Sequence, residues 1–332
     1  MRRKFKGYFM LFRVLPVLVW SFAGSLVGTA LAVYAGFPLS WRAFLLVLAI
    51  AALVQGYPTH IINEIVDCKS GADDQSLGTK KFGGSKVLQA GLLTFRDLWA
   101  VFFVSHLLLL GLVWLCAKSI DTRIVYLFIL PGYLSGLFYS LPPFRFAYRP
   151  FLGEWLGGFS GIFFLVLGSY YAQTLKIDAY ALSAACGLGL VYIGIMVFFH
   201  YLDFENDQRA TPRKTTTVVF LGLKGSRVYS YLCLAFASVL FAFWTVKFRA
   251  EGLAFLVLSG TVLFCHHRIC LTDPLSIIRW GKLITLSALV VALGFAAVAD
   301  AHLAFMGLPA ILGFWAHKKF GKLKGLRPST SS

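Results

Sequence analysis

Long apolar runs alternate with short charged segments along the whole chain, and the lengths of the runs predict its architecture. A helix needs about 20 apolar residues to cross roughly 30 Å of hydrocarbon. Runs close to that length lie at 14–36, 43–62, 98–116, 124–141, 156–175, 181–199, 228–246, 252–265 and 283–299. The pattern predicts an all-α polytopic membrane protein, a bundle of about nine transmembrane helices around a central cavity.

Two of the apolar segments leave the number of spans open. The run at 252–265 is short for a crossing, so it must tilt, extend or thin the bilayer. A last apolar piece, 303–316, contains Pro309 and ends in a basic tail. It either crosses as a short tenth helix, which places the tail in the cytoplasm, or stays at the interface.

Composition excludes a soluble domain. Of the 332 residues, 58% are hydrophobic and 14% are charged, and the mean hydropathy is +0.76. Average soluble chains carry about 25% charged residues. A β-barrel would show alternating segments of about ten residues instead of long runs. The basic segment 1–13 precedes a run that lacks a small-residue cleavage site, so we expect no removed leader.

The formal charge of +17 is concentrated between the predicted spans. The positive-inside bias and anionic lipids account for this distribution, so we expect a lipid bilayer as partner and no nucleic acid. The same bias places the N-terminus in the cytoplasm. We predict a basic N-terminus at 1–13, a transmembrane domain at 14–316 and a basic tail at 317–332.

Two acidic clusters stand at the ends of predicted spans. The first runs from Asn63 to Asp73 and the second from Asp203 to Asp207. A carboxylate at the mouth of a membrane helix is costly unless it faces water, a partner charge or a metal. The predicted topology delivers both clusters to the cytoplasmic side, and we expect the function to lie between them.

Spacing within the clusters predicts a Mg²⁺ site. Asn63 and Asp67 are four residues apart and share a helix face, as do Asp203 and Asp207. Asp73 follows Gly71 and is expected on a loop that folds back toward them. Oxygen ligands from two helices suit Mg²⁺, which also binds substrate phosphate oxygens. Basic residues beside the clusters would meet a diphosphate: Lys80, Lys81, Arg209, Arg213 and Lys214.

Other interpretations of these residues stay open at this point. Each acidic pair could be a solvated helix end, and intramembrane acids also mark the ion paths of ion-coupled transporters. Transporter sites usually lie near the midplane, whereas these acids stand at span ends. The six cysteines include no Cys-x-x-Cys pair, and the Cys265–Cys270 cluster matches no common zinc spacing.

The two motifs resemble those of the UbiA superfamily of intramembrane prenyltransferases. That family carries Asn-Asp-x-x-Asp with a further Asp, and then Asp-x-x-x-Asp. The similarity extends from the second span through Gly222 and includes 139–143, Gly153-Glu154 and Lys214-Thr215. The gap from Asp67 to Asp73 and the segment 83–93 look most like the MenA branch, which prenylates 1,4-dihydroxy-2-naphthoate.

The resemblance implies Mg²⁺-dependent transfer of a polyprenyl group from an allylic diphosphate to an aromatic acceptor. The expected acceptor is 1,4-dihydroxy-2-naphthoate of menaquinone biosynthesis, with 4-hydroxybenzoate, homogentisate, haem, chlorophyllide or a glycerol-phosphate lipid as alternatives. It implies a bacterial inner-membrane enzyme with its site toward the cytoplasm. The expected metal ligands are Asn63, Asp67, Asp203 and Asp207. The expected catalytic carboxylates are Asp67, Asp73, Asp203 and Asp207, with Asp73 or Asp207 orienting or deprotonating the acceptor.

Three positions depart from the family pattern. Glu64 stands where Asp is usual, which keeps the charge on a longer side chain and leaves a metal ligand open there. His200 replaces a common Asn with a titratable ring that shares the face of Asp203. Tyr139 lacks the lysine that accompanies it in some relatives, and Arg145 is the expected substitute for diphosphate binding.

Overall fold

The computed structural model describes residues 2–72, 84–247 and 249–321, and within these ranges the chain is helical and contains no strand. The helices are α1 Arg2–Phe12, α2 at 14–34, α3 Trp41–Ser70, α4 Phe95–Ser119, α5 Val125–Phe138, α6 Gly153–Thr174, α7 Ala179–His200, α8 Phe204–Arg209, α9 Thr217–Lys247, α10 Arg249–Arg268, α11 Pro274–Ala299 and α12 Gly307–Phe320. The prediction of an all-α membrane fold is confirmed.

Seven of the described helices are long and apolar enough to cross a membrane, and α5 is a shorter apolar helix. The spans differ from the expected ones mainly at their ends. The run at 252–265 was expected to tilt, extend or thin the bilayer, and it belongs to the longer, 20-residue helix α10, which is about 30 Å long. The helix is extended because backbone hydrogen bonding continues through the polar residues at both ends of the apolar window.

The last helix runs back beside the first. A short 3₁₀ segment, Ala301–Met306, leads into α12. Gly313 packs against Val14 and Leu18, and the rings of Phe320 and Phe9 lie 5.8 Å apart. The end of α12 therefore lies at the same end of the bundle as α1.

A second, smaller core closes that end of the bundle. Residues of α1, the segment 84–93 and the helices α3 and α4 bury their apolar side chains together, among them Leu11, Ile61, Val87 and Leu98. The link between α1 and α2 is Arg13, whose φ of 52° bends the chain at this point. As a result, α1 packs against the end of α3 that carries the first acidic motif.

Close helix packing at the centre of the bundle depends on Gly28. Helices α2 and α6 approach so closely that a Cβ on Gly28 would lie 2.6 Å from the Cβ of Ser169 and would also clash with the Val166 carbonyl. Small residues allow such close approach between membrane helices. The contact fixes α6, which carries Glu154 at its inner end.

We predict that Gly28→Val lowers the stability of the protein by about 1–3 kcal/mol, because the added methyl groups force α2 and α6 apart. Thermal unfolding in detergent measures the effect. Gly111→Val is the matched control, since a Cβ on Gly111 meets nothing within 4 Å. Equal unfolding midpoints for the two variants would contradict the packing argument.

Candidate active site

The first acidic motif occupies the last turns of α3. A π-helical turn at Gln55–Thr59, which contains Pro58, precedes it, and Gly71 ends the helix with a left-handed φ of 72°. The side-chain amide nitrogen of Asn63, Nδ2, donates to Asp67 Oδ2 at 3.0 Å and to Ser140 Oγ at 3.0 Å. Asn63 and Asp67 therefore share one helix face, as their spacing predicted.

The second motif forms a tight helical turn after α7. Asp203 precedes the short helix α8, and the Asp207 amide donates to the Asp203 carbonyl at 2.8 Å. The following loop returns to both motifs. The Thr211 amide donates to the Ser70 carbonyl at 2.9 Å, and the Lys214 amide donates to the Asp207 carbonyl at 3.0 Å.

Lys214 connects the two motifs through its side chain. The buried Nζ lies 3.2 and 3.1 Å from the two carboxylate oxygens of Asp67 and 3.7 Å from Oδ1 of Asp207. Burial alone would lower the pKa of Lys214, but the carboxylates of Asp67 and Asp207 raise it well above the usual value. The lysine is therefore charged, and it pairs with a carboxylate 147 residues away from it in sequence.

One ammonium group does not satisfy all the acids around it. Asp207 Oδ2 is buried and has no hydrogen-bond partner within the described part of the chain. Burial raises the pKa of Asp207 to about 7 and also raises the pKa of Asp203, while Lys214 opposes both shifts. The site therefore has a deficit of positive charge.

The donor set fits a hard cation such as Mg²⁺. Asn63, Asp67, Asp203 and Asp207 offer only oxygen ligands, and the partnerless Oδ2 of Asp207 is aimed into the protein rather than into solvent. However, over residues 2–72, 84–247 and 249–321 no group of three His, Cys, Asp or Glu side chains converges closely enough to hold a metal ion. The residues are suitable, but Lys214 is inserted between the carboxylates.

The predicted diphosphate-binding residues differ in how close they lie to the acidic motifs. The guanidinium of Arg145 lies 5.4 Å from the centre of the Tyr148 ring, and the Tyr148 hydroxyl donates to Ser70 Oγ at 3.2 Å, so Arg145 is close to the first motif. Arg209 is exposed and lies 3.9 Å from Glu205. Asp73, Lys80 and Lys81 lie outside the described residues.

Glu64 binds protein backbone. Its buried carboxylate accepts hydrogen bonds of 2.8 Å from the Ser85 amide, the Ser85 hydroxyl and the Val87 amide. These three donors occupy both carboxylate oxygens. Glu64 thus anchors the segment 84–93 to α3, and the metal-ligand interpretation considered from the sequence finds no support in this geometry.

His200 joins a buried polar chain beside the acidic site. Its Nδ1 lies 3.1 Å from Glu154 Oε1, and its Nε2 lies 3.2 Å from the Tyr139 hydroxyl. Thr217 donates to Glu154 Oε2 at 2.5 Å. The Tyr139 ring packs against Gly157, where any Cβ would clash with it. The Tyr139 hydroxyl therefore contacts an imidazole–carboxylate pair, and the charges of Lys214, Asp207 and Asp67 act on it electrostatically.

Sequence reasoning overlooked two charged residues near the site. Glu154 was noted only as part of the sequence similarity to the UbiA superfamily, although a carboxylate in the first turn of an apolar span itself indicates a functional site. Arg13 was treated as a topology marker, but its charge acts electrostatically on Asp203, Glu64 and His60. No local pattern distinguishes Arg13 from the other basic residues before the first span.

The Cys265–Cys270 cluster has a structural role. His266 is fully buried, its Nε2 lies 2.9 Å from the Gly194 carbonyl, and its Nδ1 lies 3.3 Å from the Tyr201 hydroxyl. Both ring nitrogens are thus used in joining α10 to α7 and to the residue that follows α7. This arrangement leaves the His266 ring no free nitrogen for zinc.

Comparison with known proteins agrees with the geometry of a bundle whose acidic motifs meet at one end. The model of the UbiA prenyltransferase family matches residues 18–283. The match covers most of the chain, which therefore belongs to the UbiA prenyltransferase family and is a membrane-embedded prenyltransferase. The resemblance predicted from the motifs is confirmed.

Individual relatives are distant in sequence. Over 270 residues the chain is 23% identical to the 1,4-dihydroxy-2-naphthoate octaprenyltransferase of Haemophilus influenzae. The aligned region covers 77% of this chain and 82% of that protein. A UbiA homologue from Archaeoglobus fulgidus bound to GPP and Mg²⁺ superposes with a TM-score of 0.66 at 17% identity, covering 88% and 99% of the two chains. The apo UbiA homologue from Aeropyrum pernix K1 gives 0.62 at 14% identity, covering 85% and 97%. These structures share the fold.

We predict that Glu64→Gln loosens the segment 84–93, because an amide cannot accept all three hydrogen bonds. Hydrogen bonds to a charged group contribute about 1.5–3 kcal/mol each, so amide exchange at Ser85 and Val87 should accelerate at least tenfold. Hydrogen–deuterium exchange measures this. Glu205→Gln, at an exposed carboxylate, is the control and should leave the segment protected. Unchanged exchange in Glu64→Gln would refute the anchoring role.

Proposed function

We propose that this prenyltransferase transfers a polyprenyl group from an allylic diphosphate to 1,4-dihydroxy-2-naphthoate, with Mg²⁺ as cofactor, in menaquinone biosynthesis. The observation that carries the proposal is the junction of the two acidic motifs at Lys214, beside a buried carboxylate oxygen of Asp207 without a partner. The proposed acceptor is the one in the name of the Haemophilus influenzae relative. The sequences of the segments 67–73 and 83–93, which look most like the MenA branch, also favour this acceptor.

The diphosphate of the donor would lie between the acidic motifs and the basic residues around them. Asn63, Asp67, Asp203 and Asp207 would hold the metal. Charge-assisted hydrogen bonds from cationic side chains to phosphate oxygens are short and strong. The residues proposed to bind the diphosphate are Lys214, Arg145 and Arg13, with Lys80 and Lys81 from beyond the described residues. Arg209 would act only at the exposed mouth.

Catalysis would consist mainly of stabilising the leaving group. When bound, Mg²⁺ supplies positive charge that stabilises the departing diphosphate. Lys214 is buried and already charged, so it offers preorganised charge where negative charge develops as the carbon–oxygen bond breaks. The surrounding bundle excludes bulk water, which would otherwise capture the allylic cation.

The acceptor would attack the prenyl group from the side of Tyr139. Loss of the proton from an acceptor hydroxyl would make the ring electron-rich. A ring carbon would then form a bond to C1 of the prenyl group as the bond from C1 to the diphosphate oxygen breaks, and the same ring carbon would lose its own hydrogen as a proton, or its carboxylate as carbon dioxide, while the oxygen is reprotonated. Tyr139 contacts His200, and the charges of the acidic motifs act on it, so its hydroxyl is suited to orient the acceptor. Asp73 or Asp207 would deprotonate or orient the same hydroxyl, as the family pattern implies.

The cellular setting is part of the proposal. We propose a bacterial inner-membrane enzyme with the acidic motifs toward the cytoplasm, because the basic loops adjoin them. We also propose the division into a basic N-terminus, a domain at 14–316 and a basic tail, although α1 packs onto the domain through Met10 and Leu11. An ion-coupled transporter is disfavoured, since the chain belongs to a prenyltransferase family and its acids gather at one end of the bundle.

We predict that membranes containing the protein form prenylated product from a polyprenyl diphosphate and 1,4-dihydroxy-2-naphthoate, and that a chelator abolishes the product. Asp67→Asn and Asp203→Asn should each lower the rate about 10²-fold or more, because each removes a carboxylate proposed to hold Mg²⁺ and thus weakens the positive charge at the departing diphosphate. Product analysis by chromatography measures both effects.

Asp300→Asn is the matched control, because Asp300 follows α11 at the opposite end of the bundle and caps the next segment. Its rate should equal that of the unmodified protein. Full activity of Asp67→Asn and Asp203→Asn would disprove the proposed mechanism. Product with only 4-hydroxybenzoate or homogentisate would disprove the proposed acceptor and leave the reaction class intact.

A further inference from the structure

We infer that Lys214 is an internal counter-ion that occupies the cation position between the two acidic motifs, so that the site takes up Mg²⁺ only together with a diphosphate. The inference rests on the proposed function, because it concerns the same site. It adds an order of binding and assigns that order to one side chain.

The geometry of Lys214 is that of a bound cation. Its Nζ contacts both oxygens of Asp67 and approaches Oδ1 of Asp207, so one ammonium bridges a carboxylate from each motif. The backbone of the same residue donates to the Asp207 carbonyl. Lys214 is therefore anchored to the second motif at both ends of its side chain, and it is 8% exposed.

This position is incompatible with a metal ion on the same carboxylates. A divalent cation that shared Asp67 and Asp207 with the ammonium would lie within a few ångströms of a like charge, where repulsion in a buried site is strong. The described residues accordingly show no group of three carboxylate, imidazole or thiolate side chains gathered as metal ligands. Free Mg²⁺ would have to displace the Lys214 ammonium from the carboxylates of Asp67 and Asp207.

A diphosphate provides an alternative place for that ammonium. The oxygens of a diphosphate accept hydrogen bonds from an ammonium. The flexible four-carbon stem of the lysine side chain lets the charge move while the backbone stays fixed. When Nζ turns to a phosphate oxygen, it releases both oxygens of Asp67 and leaves Asp207 with two free oxygens, one of which has no partner even now. The carboxylates and the phosphate then form an oxygen-rich site together.

The order of binding has a consequence for the catalytic cycle. The metal enters with the substrate diphosphate and leaves with the product diphosphate, and between turnovers Lys214 holds the two motifs together. The lysine thus prevents the repulsion between Asp67, Asp203 and Asp207 from opening the site when no ligand is bound. A charged residue is required for this role, and a neutral one cannot fill it.

The test measures binding rather than turnover. The purified full-length protein is titrated with Mg²⁺ in detergent, with and without inorganic pyrophosphate, and the thermal unfolding midpoint is followed. We expect no shift with Mg²⁺ alone and a clear upward shift with Mg²⁺ and pyrophosphate together. In Lys214→Met, Mg²⁺ alone should raise the midpoint, with an apparent affinity at least about tenfold higher than in the unmodified protein.

Two further variants isolate the effect of charge. Lys214→Arg keeps a positive charge and should still fail to respond to Mg²⁺ alone. Lys4→Gln is the matched control, since Lys4 also pairs with a carboxylate, Asp97 at 2.7 Å, but on the exposed surface away from the site. It should behave like the unmodified protein in every titration.

Each result decides between the alternatives. A Mg²⁺ response of the unmodified protein equal to that of Lys214→Met would overturn the inference, as would a Lys214→Met protein that still requires pyrophosphate. If Lys214→Met does not fold, electron paramagnetic resonance of Mn²⁺ with the unmodified protein replaces it. Binding of free Mn²⁺ before pyrophosphate is added then overturns the inference, and binding only afterwards supports it. Failure of the proposed function would be recognised separately, as the absence of any response to metal and pyrophosphate together.

Discussion

The ion-pair bridge between Lys214, Asp67 and Asp207 is the interaction on which the functional end of this bundle depends. Three acids from two distant parts of the chain meet in a poorly hydrated place, where like charges repel strongly. A single buried ammonium offsets part of that repulsion, but it does not reverse the effect of burial, which raises the pKa of Asp207, and it leaves Asp207 Oδ2 without a partner in the described part of the chain. The remaining deficit makes the site attractive to a cation that arrives with its own anion.

The rest of the fold holds the bridge in place. Close contact at Gly28 fixes α6, and α6 fixes Glu154 against His200 and Thr217. On the other side, Glu64 ties the segment 84–93 to α3, and α1 packs over both. Two buried carboxylates near the bridge, Glu64 and Glu154, therefore form internal hydrogen bonds that serve structure.

Sequence patterns predicted the features that depend on residues close together in the chain. The four-residue spacings placed Asn63 with Asp67 and Asp203 with Asp207, and the apolar runs predicted an all-α membrane fold. They could not predict which partner a charged side chain finds far along the chain. Glu64 and Asp67 differ by three residues and both are acidic, yet one meets backbone amides and the other an ammonium. The sequence left extension of α10 as one of three alternatives for a related reason, since hydropathy does not register the hydrogen bonds that continue a helix.

The pairing of α12 with the start of the chain bears on how the bundle is assembled. Phe9, Val14 and Leu18 find their neighbours on the last described helix, about 300 residues later. Because synthesis proceeds from the N-terminus, the first span waits in the bilayer until α12 has been made. The contact between α12 and the first span therefore forms only after the other described helices have been made, and until then this flank of the first span faces lipid.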